Sequence, residues 1–429
     1  MDTQNYNGGE NFNLRDVLLA GHKLNLNERL NLFSEFINNL NANNESLYMR
    51  QIDSAADREV IMIDPVTGEP RNMLMFGSNN YLGLANHPYV KKKVREAIDK
   101  FGIGIGGPPL LNGYTSLHRE LENRIASLKH TEDSIIFSSG YNANVGLLTA
   151  LLNKNDVVLY DMYSHASFVD GLQLSKAKSF SFRHNDVDHL QILIELNANC
   201  SGDVFVGVEG VYSMDGDLSP LDQIVPLCKK YNATLIVDDA HGTGVMGVYG
   251  GGTCEHFGLQ DSVEIQMGTF SKSFGVTGGY VAGSKKLVNY LRFFARSHMF
   301  SASLPPTVIA SVLAGLDVLE NDAELLQQLW SNVDYATYKL NEIGINVNPE
   351  SPIIALLAPK EMNIRKAAFH FHQAGIFVNS IEYPAVPVNQ QRFRISLMAT
   401  HTKEDINRLV ECIEEVWSNY YKYETTITC

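Results

Sequence analysis

Lys272 lies in "GTFSKSFG", between Gly268 and Gly275, among hydroxyls and bare backbone. A solvated surface lysine needs neither. The apolar run "VEIQMGTF" ahead of it reads as a buried strand, and Thr269 and Ser271 beside it can donate to an anion. A lysine at a strand end, flanked by hydroxyls, has the makings of a Schiff-base amine next to a phosphate pocket. Such an amine must lose its proton to attack a carbonyl, and burial lowers its pKa.

Other strand-like runs also end in chemistry-bearing residues. "LIVDDAHGTG" leads into Asp238, Asp239 and His241. A carboxylate at the end of a buried strand is costly without a partner for its charge. A metal ion or the protonated ring nitrogen of a bound cofactor would serve, and no further cluster at ligand spacing supports a metal. "FSSGYNAN" sets Ser139, Gly140, Tyr141 and Asn142 between a strand and the predicted helix "NVGLLTALL". Backbone N–H groups there can hold an anion or simply form a turn. "YSHASFVDG" puts His165 after the strand "DVVLYD", as a ring-stacking imidazole or a hydrogen-bonded surface histidine. "EGVYSMDGD" offers Glu209 and Ser213, with Asp215 and Asp217 in an Asp-Gly turn. An acid for a pyridinium nitrogen, an imidazole to lie over a ring, a phosphate cradle and a lysine together describe pyridoxal 5'-phosphate. "GIGIGG" at Gly102 to Gly107 follows a helix instead of a strand, which excludes a dinucleotide loop, and no G-x-S-x-G elbow occurs.

The elements that must position these residues alternate. "DSIIFSSG", "DVVLYD", "DVFVGVEG", "ATLIVDDAHG" and "VEIQMGTFSK" read as buried strands, with helices such as "HRELENRIASL" and "LDQIVPLCKKY" between some of them. That predicts a mainly parallel sheet covered by helices, with functional groups beyond the strands' carboxyl ends. Residues 1 to about 20 read as disordered, and "LNERLNLFSEFINNL" as an amphipathic helix. "RNMLMFGSNNYLGL" is a strand entering a polar loop. After about 315, "SVLAGLDVLENDAELLQQLWSNVDYATYKLNEIG" reads as one long helical stretch before a smaller α+β segment.

The chain has 429 residues, enough for more than one domain, and a net charge of -14, which argues against nucleic acid as a partner. Its five cysteines are scattered without a CxxC pair, so neither a disulfide framework nor a zinc site is expected; a reducing, cytoplasmic setting fits. No apolar run reaches the ~18 residues of a membrane span, although peripheral membrane contact is compatible with the sequence.

The ordered set "GSNNYLGL", "FSSGYNANVG", "SHASFVDG", "EGVYSMDGD", "VDDAHGTGVMG", "GTFSKSFG", "FSASLPP" and "PAVPVNQQRFRISLMATHT" resembles the α-oxoamine synthase family of fold-type I pyridoxal-phosphate enzymes, from about residue 45 to 420. Among members it is most similar to bacterial serine palmitoyltransferases. The resemblance implies an α/β fold: a large domain with a mainly parallel seven-stranded sheet, plus a smaller C-terminal α+β domain. The expected division is an N-terminal arm over 1–70, a cofactor domain over 71–315 and a small domain over 316–429.

By that resemblance Lys272 carries the cofactor covalently, Asp238 pairs with the pyridine nitrogen and His165 stacks on the ring. His241 and Ser213 contact the phenolic-oxygen side, and Glu209 orients the site. Gly140, Tyr141, Thr269 and Ser271 hold phosphate, Ser301 and Ala302 reach the neighbouring subunit's phosphate, and Asn80 and Arg394 grip the substrate carboxylate. No metal is implied. The reaction implied is decarboxylative condensation of a small L-amino acid with an acyl-CoA or acyl carrier protein thioester, in a homodimer with shared sites. Serine is the expected amino acid, with a role in sphingolipid-type synthesis. Glycine acetyl transfer, 8-amino-7-oxononanoate synthesis, cysteate acyl transfer and a catalytically silent partner subunit are the alternatives. Ala302 stands where many members have threonine, and Asp239 where glutamate is frequent. Pro108 and Pro109 replace a serine-arginine pair, and "SFGVTGG" is closer to other branches than to the sphingolipid enzymes.

Overall fold

The computed structural model describes residues 13–421. Its strands, in chain order, are β1 (Glu59–Ile63), β2 (Pro70–Met75), β3 (Asp133–Phe137), β4 (Val157–Asp161), β5 (Lys178–Phe182), β6 (Val204–Glu209), β7 (Thr234–Asp238), β8 (Ile265–Thr269), β9 (Gly279–Gly283), β10 (Ile353–Leu357), β11 (Ile376–Phe377), β12 (Asn379–Ile381) and β13 (Arg392–Ser396). A seven-stranded sheet has the order β3-β9-β8-β7-β6-β4-β5. Its pairs are parallel except those of β9, which runs against both neighbours. The five strand-like runs of the sequence fall on β3, β4, β6, β7 and β8.

Helices cover both faces, so the inner strands have no solvent side and read as unbroken apolar runs. Along β7, Ile236 faces one way and Leu235 and Val237 the other. Ile236 packs with Leu147, Leu148, Leu172 and Leu291 from helices Gly140–Leu151, Ala166–Ser175 and Lys285–Phe294. Leu235 and Val237 pack with Leu190, Ile194, Ile224 and Val225 from helices Val187–Asn197 and Leu221–Tyr231.

Two smaller sheets bring the C-terminal part to the large one. In β10-β13-β12 all pairs are antiparallel. The β1–β2 hairpin straddles residue 70, and β11 joins β2 in parallel. His401 stitches the two sheets together. Its Nδ1 accepts from the Met398 N–H at 3.0 Å, and its Nε2 faces the Met75 carbonyl at 3.0 Å. The Ser396 N–H reaches the Phe76 carbonyl at 2.8 Å, and the Ala399 N–H reaches that of Tyr81 at 2.7 Å. The "GSNNY" loop is thereby laid against β13.

Two expectations need correction. The predicted disorder ends earlier than residue 20: Leu14–Gly21 is a helix, because Asn13 caps it and Asp16 bonds back to the Asn13 N–H. Residues 1–12 lie outside the described range. The long helical stretch after 315 is two helices, Pro306–Asn321 and Ala323–Glu342, broken at Asp322, whose side chain caps the second.

Candidate active site

Glu209, Asp238 and Thr269 end β6, β7 and β8, and His165 and Lys272 follow β4 and β8 within four residues. Parallel register sets Glu209 beside Asp238. Asp238 is buried and held from two sides: Asn144 Nδ2 donates to Oδ2 at 2.8 Å and the Ala240 N–H to Oδ1 at 3.1 Å. The same Asn144 amide donates to Ser167 Oγ at 2.9 Å, and Ser167 Oγ lies 2.7 Å from His165 Nδ1. The Ser167 N–H also points at that nitrogen, at 3.2 Å. Nδ1 is therefore the acceptor, and a neutral His165 carries its proton on Nε2. Burial, with help from Lys272, holds His165 below the usual imidazole range against the pull of Asp238.

Lys272 is half-buried, and its amine has no hydrogen-bond or ion-pair partner among the described residues. Burial pushes it down to about 8, with Arg394 assisting and Asp238 and Glu209 opposing. Gly275 shapes the turn after it. Its φ is +66°, its N–H bonds the Lys272 carbonyl at 2.9 Å, and a Cβ there would lie 2.6 Å from Ala85 Cβ. Glu209 is buried with Oε1 unpartnered, and burial followed by Asp238 raises its pKa well above the carboxylate range.

Ser139 caps the helix Gly140–Leu151 by accepting from the Asn142 N–H at 3.1 Å. The Gly140 and Tyr141 N–H groups have no acceptor among the described residues. A Cβ on Gly140 would lie 2.9 Å from Thr269 Cβ, so glycine keeps the cradle open. Thr269 gives its proton to the Gly278 carbonyl at 2.7 Å and receives the Ser271 N–H at 3.2 Å. It thereby presents Ser271, whose side chain is exposed. Tyr141 donates its hydroxyl to Asp170. Ser301 Oγ lies 3.3 Å from Ser138 Oγ, next to this cradle, and Ala302 offers only backbone.

Arg394, in β13, is only 3% exposed. Its Nε donates to the Ser213 carbonyl at 2.5 Å. One terminal nitrogen donates to Asn79 Oδ1 and Ser396 Oγ, both at 2.9 Å, and the other to Tyr81 Oη at 3.3 Å. All these partners are neutral. A buried cation without a counter-ion is costly, and a bound carboxylate would supply one. Tyr81 Oη also meets His241 Nδ1 at 2.8 Å, so a hydrogen-bonded chain runs from Arg394 to His241. Burial, then Lys272 and Arg394, drive His241 well below the imidazole range, leaving it neutral.

The structure does not bring the Asn80 side chain to Arg394. Asn80 directs its amide to the Ala56 carbonyl at 3.5 Å and the Ala85 N–H at 3.3 Å, which shapes its own loop; Asn79 is the side chain beside Arg394. Asp239 stands apart from Asp238. It is fully buried on the opposite side of the strand end, with Lys129 Nζ at 2.6 Å and Thr253 Oγ1 at 2.5 Å. Asp215 pairs with Arg392, and Asp217 with His184. Asn79, Tyr81, Asn144 and Ser167 were not singled out from sequence, although all lie inside the quoted motifs.

The donor set fits pyridoxal phosphate on structural grounds. It provides a glycine cradle with open N–H groups, a held carboxylate, a neutral imidazole, an orphaned buried Glu209 oxygen and an unpaired amine of lowered pKa. Fold and site together define a fold-type I pyridoxal-phosphate enzyme. Residues 71–413 match the family "Aminotransferase class I and II". The chain is 41% identical to serine palmitoyltransferase of Bacteriovorax stolpii, over 82% of this chain and 84% of that protein. It is 39% identical to 8-amino-7-oxononanoate synthase of Alkaliphilus oremlandii, over 81% and 88%. A solved serine palmitoyltransferase variant from S. paucimobilis, holding pyridoxal phosphate joined to myriocin, superposes with TM-score 0.86 at 29% identity, over 92% and 99%. The chain belongs to the class I and II aminotransferase family, in its α-oxoamine synthase branch, and its cofactor is pyridoxal 5'-phosphate.

The lowered pKa of Lys272 has a measurable consequence. The amine must be neutral to capture the cofactor aldehyde, so its neutral fraction sets the rate. With a value of about 8, loading of the cofactor-free chain rises about tenfold from pH 7 to 9 and levels off above that. Stopped-flow absorbance across that range checks this; a rate still climbing tenfold per unit at pH 9 would restore an ordinary lysine.

Proposed function

We propose that the protein condenses a small L-amino acid, serine first, with a long-chain acyl thioester, releasing carbon dioxide and the free thiol and leaving an α-amino ketone. The observation that carries this reading is Arg394, buried with neutral partners only and close enough to Lys272 to depress its pKa. When bound, pyridoxal phosphate supplies the electron sink for negative charge at the amino-acid Cα. Arg394 and Asn79 hold the carboxylate and so fix which Cα bond faces the sink. Lys272, whose amine would carry the cofactor, would also remove the Cα proton. Asp238, oriented by Asn144 and the Ala240 N–H, keeps a proton on the pyridine nitrogen. His165 would cover one ring face, and His241 and Ser213 would face the phenolic-oxygen side. Glu209, whose pKa burial raises, would orient the site, and Gly140, Tyr141 and Ser271 would hold phosphate.

A cleft of about 1100 Å³ opens beside His165 and Ser213. Met162, Met214, Met362, Pro384 and Val386 give it walls for an apolar acyl chain and against water. Arg15 and Lys360 also line it. They suit the phosphates of coenzyme A, but equally a terminal carboxylate on a short acyl chain, which favours 8-amino-7-oxononanoate synthesis as a second reading. Glycine, alanine, serine and cysteate assayed against palmitoyl and pimeloyl thioesters, with mass detection, decide. Palmitoyl product from serine supports the first reading, and pimeloyl product from alanine replaces it.

We further propose a homodimer in which Ser301 and Ala302 approach the partner's phosphate site. Ile103, Leu111, Phe293, Phe294 and Phe300 are 56–81% exposed, and such apolar side chains suit a protein–protein contact. Phe300→Asp should convert the dimer to a monomer by light scattering and weaken cofactor retention; an unchanged mass would remove Phe300 from the interface. The four described cysteines are free thiols, which suits the cytoplasm, and no helix among the described residues is long and apolar enough to cross a membrane.

A further inference from the structure

His184 takes no part in the chemistry above, yet it sits between two walls of the cleft. Its Nδ1 lies 3.0 Å from Asp161 Oδ1, and its Nε2 lies 2.8 Å from Asp217 Oδ2. A neutral imidazole has one N–H, so two carboxylates on its two nitrogens require the imidazolium. The ring is stacked on Tyr163 at 4.3 Å and meets the edge of Tyr212 at 4.5 Å, with Asn185 adjacent to Nε2.

Both aspartates belong to backbone that frames the site. Asp161 is fully buried at the end of β4, and its side chain accepts the Tyr163 and Asn185 N–H groups at 2.8 and 2.9 Å. It thereby shapes the segment that ends in His165. Asp217 belongs to the turn closed by the Val211–Leu218 bridge, and its carbonyl accepts the Tyr212 N–H at 3.0 Å. That turn presents the Ser213 carbonyl to Arg394, and the Met214 carbonyl and Asp215 to Arg392. Asn185 reinforces the link, donating to Asp217 Oδ2 and the Leu218 carbonyl, both at 3.0 Å.

We infer that His184 is a positioning residue: as an imidazolium clamped between Asp161 and Asp217, it holds the His165 segment and the Ser213 turn at the spacing that lets Arg394 receive the amino-acid carboxylate. The inference rests on the reading that an amino acid is the substrate. The two carboxylates outweigh burial and lift His184 to about 9. A raised folded-state value means the clamp contributes fully below the unfolded value of about 6.5. The contribution is lost as pH rises through about 9.

The test uses the cofactor-loaded enzyme, with equilibrium binding of L-serine read from the cofactor's absorbance, and two variants, His184→Gln and Asp217→Asn. H184Q is expected to retain cofactor but to weaken serine binding about tenfold or more. D217N, with one carboxylate gone, is expected to shift the alkaline loss of binding to lower pH. The double variant should be no weaker than H184Q alone, because both changes break one clamp. Unchanged serine affinity in H184Q, additive effects, or an unmoved alkaline midpoint in D217N would each overturn the inference. If H184Q does not fold, the D217N midpoint decides. If the wild type binds no small amino acid at all, the functional reading fails instead. The clamp is then judged from the melting temperature of the cofactor-free chain, whose alkaline fall must move to lower pH in D217N.

Discussion

Lys272→Ala abolishes turnover: kcat/KM for the condensation falls by about 10⁴-fold or more, and the visible band of lysine-bound cofactor disappears from the purified protein. The size follows from two roles in one amine. It holds the cofactor covalently, and it moves the Cα proton, a step that by itself supplies roughly 10²–10⁴-fold. The other buried lysine beside this sheet edge is not free to substitute. Lys129, which lies beyond the β7 end, is fully buried and committed to Asp239 at 2.6 Å and the Gly251 carbonyl at 2.7 Å. Because Lys272 has no ion pair to break, the variant should fold, and its melting temperature without cofactor should stay near wild type. Retention of the visible band together with product formation would remove Lys272 from the centre of the mechanism.

Arg394→Lys is the second large effect, and it should fall on KM more than on kcat. Arg394 makes four hydrogen bonds from three nitrogens, to Ser213, Asn79, Ser396 and Tyr81, which leaves one of its N–H donors for a carboxylate. A lysine keeps the charge but has one nitrogen with three donors, so it cannot serve those four neighbours and a carboxylate at once. Losing one or two hydrogen bonds to a charged group costs about 3 kcal/mol, or about 10²-fold in KM for the amino acid. The acyl thioester KM should move little. Steady-state kinetics with each substrate varied in turn checks the split; a change confined to the thioester would place Arg394 in the other subsite.

Much of this site was legible because buried parallel strands advertise themselves. "TLIVD" and "IQMGT" are apolar runs that stop at a polar residue, and such stops mark the functional edge of the sheet. The strands that went unseen lack that signature. β5, "KSFSF", is an edge strand with four exposed positions, and β9, "GYVAG", is short and bounded by glycines. That Asn79 and not Asn80 bonds Arg394 was illegible for a related reason. Two adjacent asparagines in a loop carry no periodicity, so only the packing of the loop on β13 tells which one meets Arg394. At the end of β7, by contrast, successive residues in extended chain face opposite ways, which is why Asp238 reaches the site and Asp239, just after the strand, turns to Lys129. His184 was invisible for a different reason: its carboxylates lie 23 and 33 residues away, and only the alignment of β4 with β6 brings them together.

The central claim is a decarboxylative carbon–carbon condensation, and the carboxyl carbon of the amino acid reports on it directly. L-Serine labelled at that carbon, incubated with enzyme and palmitoyl-CoA, should release its label as carbon dioxide in equal amount to free thiol, with an unlabelled α-amino ketone as product. Label retained in a keto acid, with no thiol released, would mean amino transfer and would contradict the account.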